Sequence, residues 1–62
     1  MYVIGDKRGN RNAFDALEGT FGSLEFTYIE AAVVLQNSLD IDEQAVAKLI
    51  QELVRSGTIK EA

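Results

Sequence analysis

Asp40-Ile41-Asp42-Glu43-Gln44-Ala45-Val46-Ala47-Lys48-Leu49-Ile50-Gln51-Glu52-Leu53-Val54-Arg55-Ser56-Gly57-Thr58-Ile59-Lys60 is the stretch whose reading decides the fold. Val46, Leu49, Ile50, Leu53 and Val54 recur at i, i+3, i+4, i+7 and i+8, the spacing of one apolar helix face. Gln44, Ala47, Lys48, Gln51, Glu52 and Arg55 then form the outer face. A helix is predicted over Ile41–Ser56. Asp40 and Glu43 stand three apart, where each side chain can satisfy an amide left unpaired at a helix start. Gly57 follows the last periodic residue, the usual place for a left-handed stop, and Thr58-Ile59-Lys60 has strand character.

Working outward toward the N-terminus, Thr27 and Glu30 repeat the reciprocal capping spacing, so a second helix is predicted from Tyr28 to about Leu35 or Gln36. Ile29, Ala32, Val33 and Gln36 share one stripe, while Val34 and Leu35 widen it, making this helix apolar nearly all round. It must be packed on several sides, and the small Ala31 and Ala32 let a neighbour approach closely. Leu24 and Phe26 alternate with Glu25, which predicts a short extended piece before Thr27. Asn12 is placed to cap a brief helix, Ala13–Glu18, with Phe14 and Leu17 on one face and Gly19 at its end. Asp6 to Arg11 reads as a loop, and Tyr2-Val3-Ile4, ended by Gly5, as a short edge strand. The expected core is Phe14, Leu17, Ile29, Val33, Val46, Leu49, Ile50 and Leu53. The class is α+β: three helices and a small antiparallel sheet in one domain spanning residues 1–62.

Composition bounds the function. Sixty-two residues lie near the lower limit for a chain that folds without metal or disulfides. There is no Cys and no His, so disulfides and the usual zinc ligand sets are absent, and no metal or cofactor is expected. The core must come from apolar packing, helped by a second subunit if the chain is the homodimer expected here. A hydrophobic content of 47% with 26% charged residues is that of a folded domain. No run approaches the roughly 18 apolar residues of a membrane span, and no basic leader precedes an apolar stretch, so a cytoplasmic location is expected. Catalysis finds no support, because Ser23, Ser38 and Ser56 have no imidazole to activate them. Asp40-Ile41-Asp42-Glu43 lacks the Gly and distal Glu of a calcium loop. Asn37-Ser38-Leu39 resembles the phosphopantetheine site of acyl carrier proteins, but Asn37 stands where that family has Asp.

From about Asn12 to Glu61 the chain resembles the winged-helix family of DNA-binding regulators. The run Asp40 to Ile59, with two to three apolar turns ending in Leu, a basic residue, Gly and an apolar strand residue, carries the likeness. That family continues with a wing hairpin. Here the sequence stops at Ala62, and Tyr2–Ile4 is expected to pair with Thr58–Lys60 in its place. The resemblance implies that the third helix enters the major groove of duplex DNA and that Asp42, Glu43, Gln44, Ala47, Lys48 and Gln51 face it.

Gln44, Lys48 and Gln51 suit that role, since Gln bonds adenine bidentately and Lys reaches guanine or phosphate. Arg55, with Lys7, Arg8 and Arg11 of the first loop, is placed to contact phosphates, although three cations on a loop equally make a solvated tip. Asp40, Asp42 and Glu43 oppose the phosphates. Their simpler role is to complement the positive end of a helix dipole. The net charge of −4 also disfavours non-specific attraction to nucleic acid. The alternative is therefore an acidic protein-interaction module that binds no nucleic acid, its partner meeting the apolar surface of the second helix around Val34 and Leu35.

Overall fold

The computed structural model describes residues 1–62, in the order β1 (Tyr2–Ile4), α1 (Arg11–Phe21), α2 (Tyr28–Leu39), α3 (Glu43–Ser56) and β2 (Ile59–Glu61). This is the expected α+β arrangement of three helices and a small antiparallel sheet. β1 pairs antiparallel with β2 in the register Tyr2↔Glu61, Val3↔Lys60 and Ile4↔Ile59. The strand partner is thus shifted by one residue from the expected Thr58–Lys60, because Thr58 is consumed by the corner after α3. On its other edge β1 bridges to Phe26, the Tyr2 amide donating to the Phe26 carbonyl at 2.7 Å and the Phe26 amide returning to Tyr2 at 2.9 Å. The extended piece before Thr27 therefore contributes one residue to the sheet, and the N-terminal strand is its middle member rather than the edge strand expected, since Tyr2 finds a backbone partner on each side.

Each helix is set by its ends. In α1 the side chain of Asn10, not Asn12, caps the helix, accepting from the Ala13 amide at 3.1 Å. The helix also runs on past Gly19 to Gly22, whose positive φ of 58°, a conformation that glycine adopts without steric cost, ends it. A β-carbon at Gly19 would meet no neighbouring group, so this exposed position costs the helix only its weak propensity, about 1 kcal/mol. Continuing past it carries Phe21 onto Phe26, ring centroids 4.5 Å apart. That stacked contact outweighs the glycine.

The capping box of α2 is complete: the Glu30 amide donates to Thr27 Oγ1 at 3.1 Å and the Thr27 amide to Glu30 Oε1 at 2.8 Å. The helix reaches Leu39, three residues beyond Gln36, since Gln36-Asn37-Ser38 contains no breaker and Leu39 packs on the core. Asp40 then takes a left-handed conformation, φ 53°. Asp40 is consequently the end of α2, and the box expected between Asp40 and Glu43 does not form. Asp42 caps α3 instead, Oδ1 accepting from the Ala45 amide at 2.8 Å.

The core cluster joins Ala13 and Leu17 of α1, Phe26, Ala31 and Leu35 of α2, Val46, Ile50 and Leu53 of α3, and Ile59 of β2. Phe14 is buried as expected, and Leu49 is half-buried. The expectation fails on α2. Ile29 is 72% exposed and Val33 51%, while Ala31 and Leu35 are fully buried. The helix is turned by about a third of a revolution from the expected face. Being apolar all round, α2 has no hydropathy contrast to choose its inward side, and the close approach of α1 selects the side with the small Ala31. Val34 is half-buried, so Val34 and Leu35 are not the apolar surface of this helix. Tyr28, Ile29 and Val33 are.

Leu53→Ala is expected to cost about 2–5 kcal/mol, whereas Ile29→Ser should stay within about 0.5 kcal/mol of the parent. Thermal melts followed by circular dichroism test both. Comparable losses for the two variants would contradict this burial pattern. At the left-handed position after α2, Asp40→Ala should melt about 1 kcal/mol less stable than Asp40→Gly, since only glycine adopts that conformation without steric cost.

Candidate nucleic-acid interface

α3 is fourteen residues long, and its apolar stripe is held inward by Val46, Ile50 and Leu53. Its opposite side carries Gln44, Lys48, Gln51 and Arg55, all exposed. At 100° per residue these four fall within about 60° of one another, forming one row along the helix. None of the four takes part in a side-chain hydrogen bond or ion pair within the protein. The row offers two amides able to donate and accept, and two cations. Its N-terminal neighbours are acidic: Asp42 is engaged in capping, and Glu43 occupies the first turn.

The basic loop lies elsewhere. Lys7, Arg8, Gly9 and Arg11 line an open basin of about 250 Å³. Gly9 and Asn10 also border a smaller cleft, of about 110 Å³, with Leu49, Glu52, Leu53 and Ser56 of α3. The loop therefore sits beside the C-terminal half of α3, roughly a quarter-turn from the row, with Glu52 between. Its cations are partly engaged. Arg8 lies 3.8 Å and Lys60 4.0 Å from Asp6, Arg11 lies 4.0 Å from Asp15, and Lys7 sits over the Phe14 ring at 5.6 Å. The three ion pairs are exposed, so each contributes about 0–1 kcal/mol and would yield readily to a phosphate.

What holds the loop in place is the corner after α3. The Gly5 amide donates to the Thr58 carbonyl at 2.7 Å, and the Asp6 amide to the Gly57 carbonyl at 2.9 Å. Thr58 is wholly buried, and its Oγ1 donates to the Arg8 carbonyl at 2.6 Å while lying 2.8 Å from the Ser56 hydroxyl. Gly5 is required here, because a β-carbon would run into the Gly57 carbonyl. Sequence patterns do not reveal this latch, since Thr58 reads simply as a strand residue.

Charge is segregated along the chain. Glu25, Glu30, Asp40, Asp42 and Glu43 fall between residues 25 and 47, a stretch with no Lys or Arg, while all 6 cations lie outside it. α2, the turns that flank it and the start of α3 therefore carry carboxylates and no cation. The cations stand on the first loop, the later part of α3 and β2, among the other five acids, Asp6, Asp15, Glu18, Glu52 and Glu61. No group of carboxylates is arranged to hold a metal ion, and no helix is long and apolar enough to cross a membrane.

Thr58→Val removes the hydroxyl that ties the loop to the corner. It is expected to cost about 1–3 kcal/mol, the penalty for leaving the Arg8 carbonyl without its buried donor. Amide hydrogen exchange at Gly5 and Asp6 should speed up in this variant more than exchange within α2. Uniform acceleration, or none, would contradict the latch.

No known family model matches this sequence, and no curated protein or solved structure matches it either.

Proposed function

We propose that this chain is a small winged-helix-like DNA-binding protein of regulatory type, cytoplasmic and acting as a dimer. The observation that carries the reading is the unengaged row Gln44, Lys48, Gln51 and Arg55 along the outer face of a helix otherwise anchored in the core. An α-helix, about 10–12 Å across with its side chains, fits a major groove about 12 Å wide, and the fourteen residues of α3 give about 21 Å of length to lie in it. The element order supports the likeness, since β1 fills the position beside β2 that a second wing strand takes in that family.

In this reading Lys48 and Gln51, one turn apart and clear of the acidic helix start, meet base edges or the nearest phosphate, and Gln44 reads a base further along. Arg55 and the loop cations Lys7, Arg8 and Arg11 contact phosphates, where position rather than sequence is decided. The carboxylates of Asp42 and Glu43 repel any backbone that is not well placed. Single-site affinity is then low, and two half-sites bound together by a dimer supply the rest.

A second reading is favoured by a different observation, the exposure of Tyr28, Ile29 and Val33. On that reading the fold is a protein-interaction module and the row on α3 is solvated surface.

Gel shifts with duplex DNA at low salt separate the two. Lys48→Ala should weaken binding and reduce the slope of log affinity against log salt by about one unit, the loss of one phosphate contact. Gln51→Ala should instead reduce discrimination between sequences. Asp42→Asn with Glu43→Gln should strengthen non-specific binding, as Asn retains the cap while the repulsion is removed. Absence of a shift for the parent protein at low salt would eliminate the DNA reading.

A further inference from the structure

Tyr28, Ile29, Ala32, Val33 and Gln36 of α2 face Glu43, Val46 and Ala47 of α3 across an open groove of about 390 Å³. Its floor is the buried Val46, and its wall is the apolar side of α2 that the fold leaves uncovered. Large side chains stand out of this wall although the rest of α2 is well packed. Uncovered apolar residues gathered in one groove, rather than scattered singly, mark an interaction surface.

We propose that this groove receives a short basic amphipathic helix of another protein, with apolar anchors one turn apart and Lys or Arg beside them. The wall from Tyr28 to Gln36 rises about 12 Å along α2, room for two turns and thus anchors at i, i+4 and i+7. Charge decides the chemistry of the occupant. Every groove residue belongs to the stretch 25–47, which carries five carboxylates and no cation. Glu43 lines the groove itself, and Glu30 follows Ile29 on α2. A cationic segment is drawn to this rim, and its charges need not be buried to gain from it. A second copy docked face to face would set the same carboxylates against each other. Duplex DNA and an anionic membrane are repelled for the same reason. The groove is separate from the row on α3, so this inference stands whether or not that row meets DNA.

The test uses the full-length ¹⁵N-labelled protein and a panel of labelled helical peptides with Leu, Ile or Phe at i, i+4 and i+7 and Lys or Arg flanking them. Matched peptides carry Glu in place of the cations, or Ser in place of the anchors. At least one cationic peptide is expected to bind, moving amide resonances of Ile29, Ala32, Val33, Gln36 and Ala47 but not those of Gln51 or Arg55. Its acidic counterpart should bind about tenfold more weakly or worse. Ile29→Ser and Val33→Ser, both surface changes that leave the core intact, should each weaken binding several-fold, while Lys48→Ala should not. The proposal is overturned if no cationic peptide binds below about 1 mM. It is equally overturned if acidic and cationic peptides bind alike, if the shifts map away from the groove, or if sedimentation shows a dimer that Ile29→Ser dissolves.

Discussion

The corner at Gly57 and Thr58 is the point on which the remaining structure depends. Gly57, at φ 83°, ends α3 with its amide donating to the Val54 carbonyl, and the Thr58 amide reaches back to the Leu53 carbonyl. This paired closure satisfies two carbonyls that a helix end would otherwise leave open. It also turns the chain so that Ile59 enters the core beside Leu53 and β2 lies along β1. The same two residues offer carbonyls to Gly5 and Asp6 and a hydroxyl to the Arg8 carbonyl. The start and end of the chain are thereby locked together across about fifty residues of sequence. A domain this small, with no cysteine to form a disulfide, gains in this way a long-range closure made of hydrogen bonds and one buried side chain.

That closure determines where the apolar surface is spent. With β1 between β2 and Phe26, the sheet covers one side of the helices and stacks Phe26 between Tyr2 and Phe21. α1 and α3 then meet α2 on its Ala31–Leu35 side. Nothing remains in the chain to cover Ile29 and Val33, which project past the start of α3. Their exposure follows from having three helices and a narrow sheet, not from any polarity of their own.

Charge overlays this geometry with a second division. Acids gather where α2 and α3 begin, and there they cap amides and complement helix dipoles. Cations gather at the opposite end of α3 and on the latched loop, where the C-terminal dipole favours Arg55. A single scaffold so presents an apolar groove whose one charged lining residue is Glu43 and an edge where cations stand among acids such as Asp6 and Glu52, with the row on α3 running between them.

Much of this was legible in the chain because the signals are local. Thr27 with Glu30, Gly57 after Arg55-Ser56, and the unbroken apolar spacing from Val46 to Val54 each act within a turn or two of helix, so they specify α2 and α3 and the stop between α3 and β2. Where two local signals compete, spacing does not rank them. Asn10 and Asn12 both stand at the start of α1, Asp40 and Asp42 both precede α3, and Gly19 and Gly22 both follow Leu17. The winner in each case depends on what the helix gains by packing, as Phe21 and Leu39 do. The row Gln44, Lys48, Gln51 and Arg55 was visible because it lies opposite a strongly amphipathic face. The groove was not, because α2 is apolar on every side and its burial direction is set by partners distant in sequence. The sequence by itself determined the elements and those ends that had no rival signal, Thr27 and Gly57, through hydrogen bonds between near neighbours. Only the tertiary structure decided which face of α2 meets water, since burial depends on contacts that no residue of α2 can make alone.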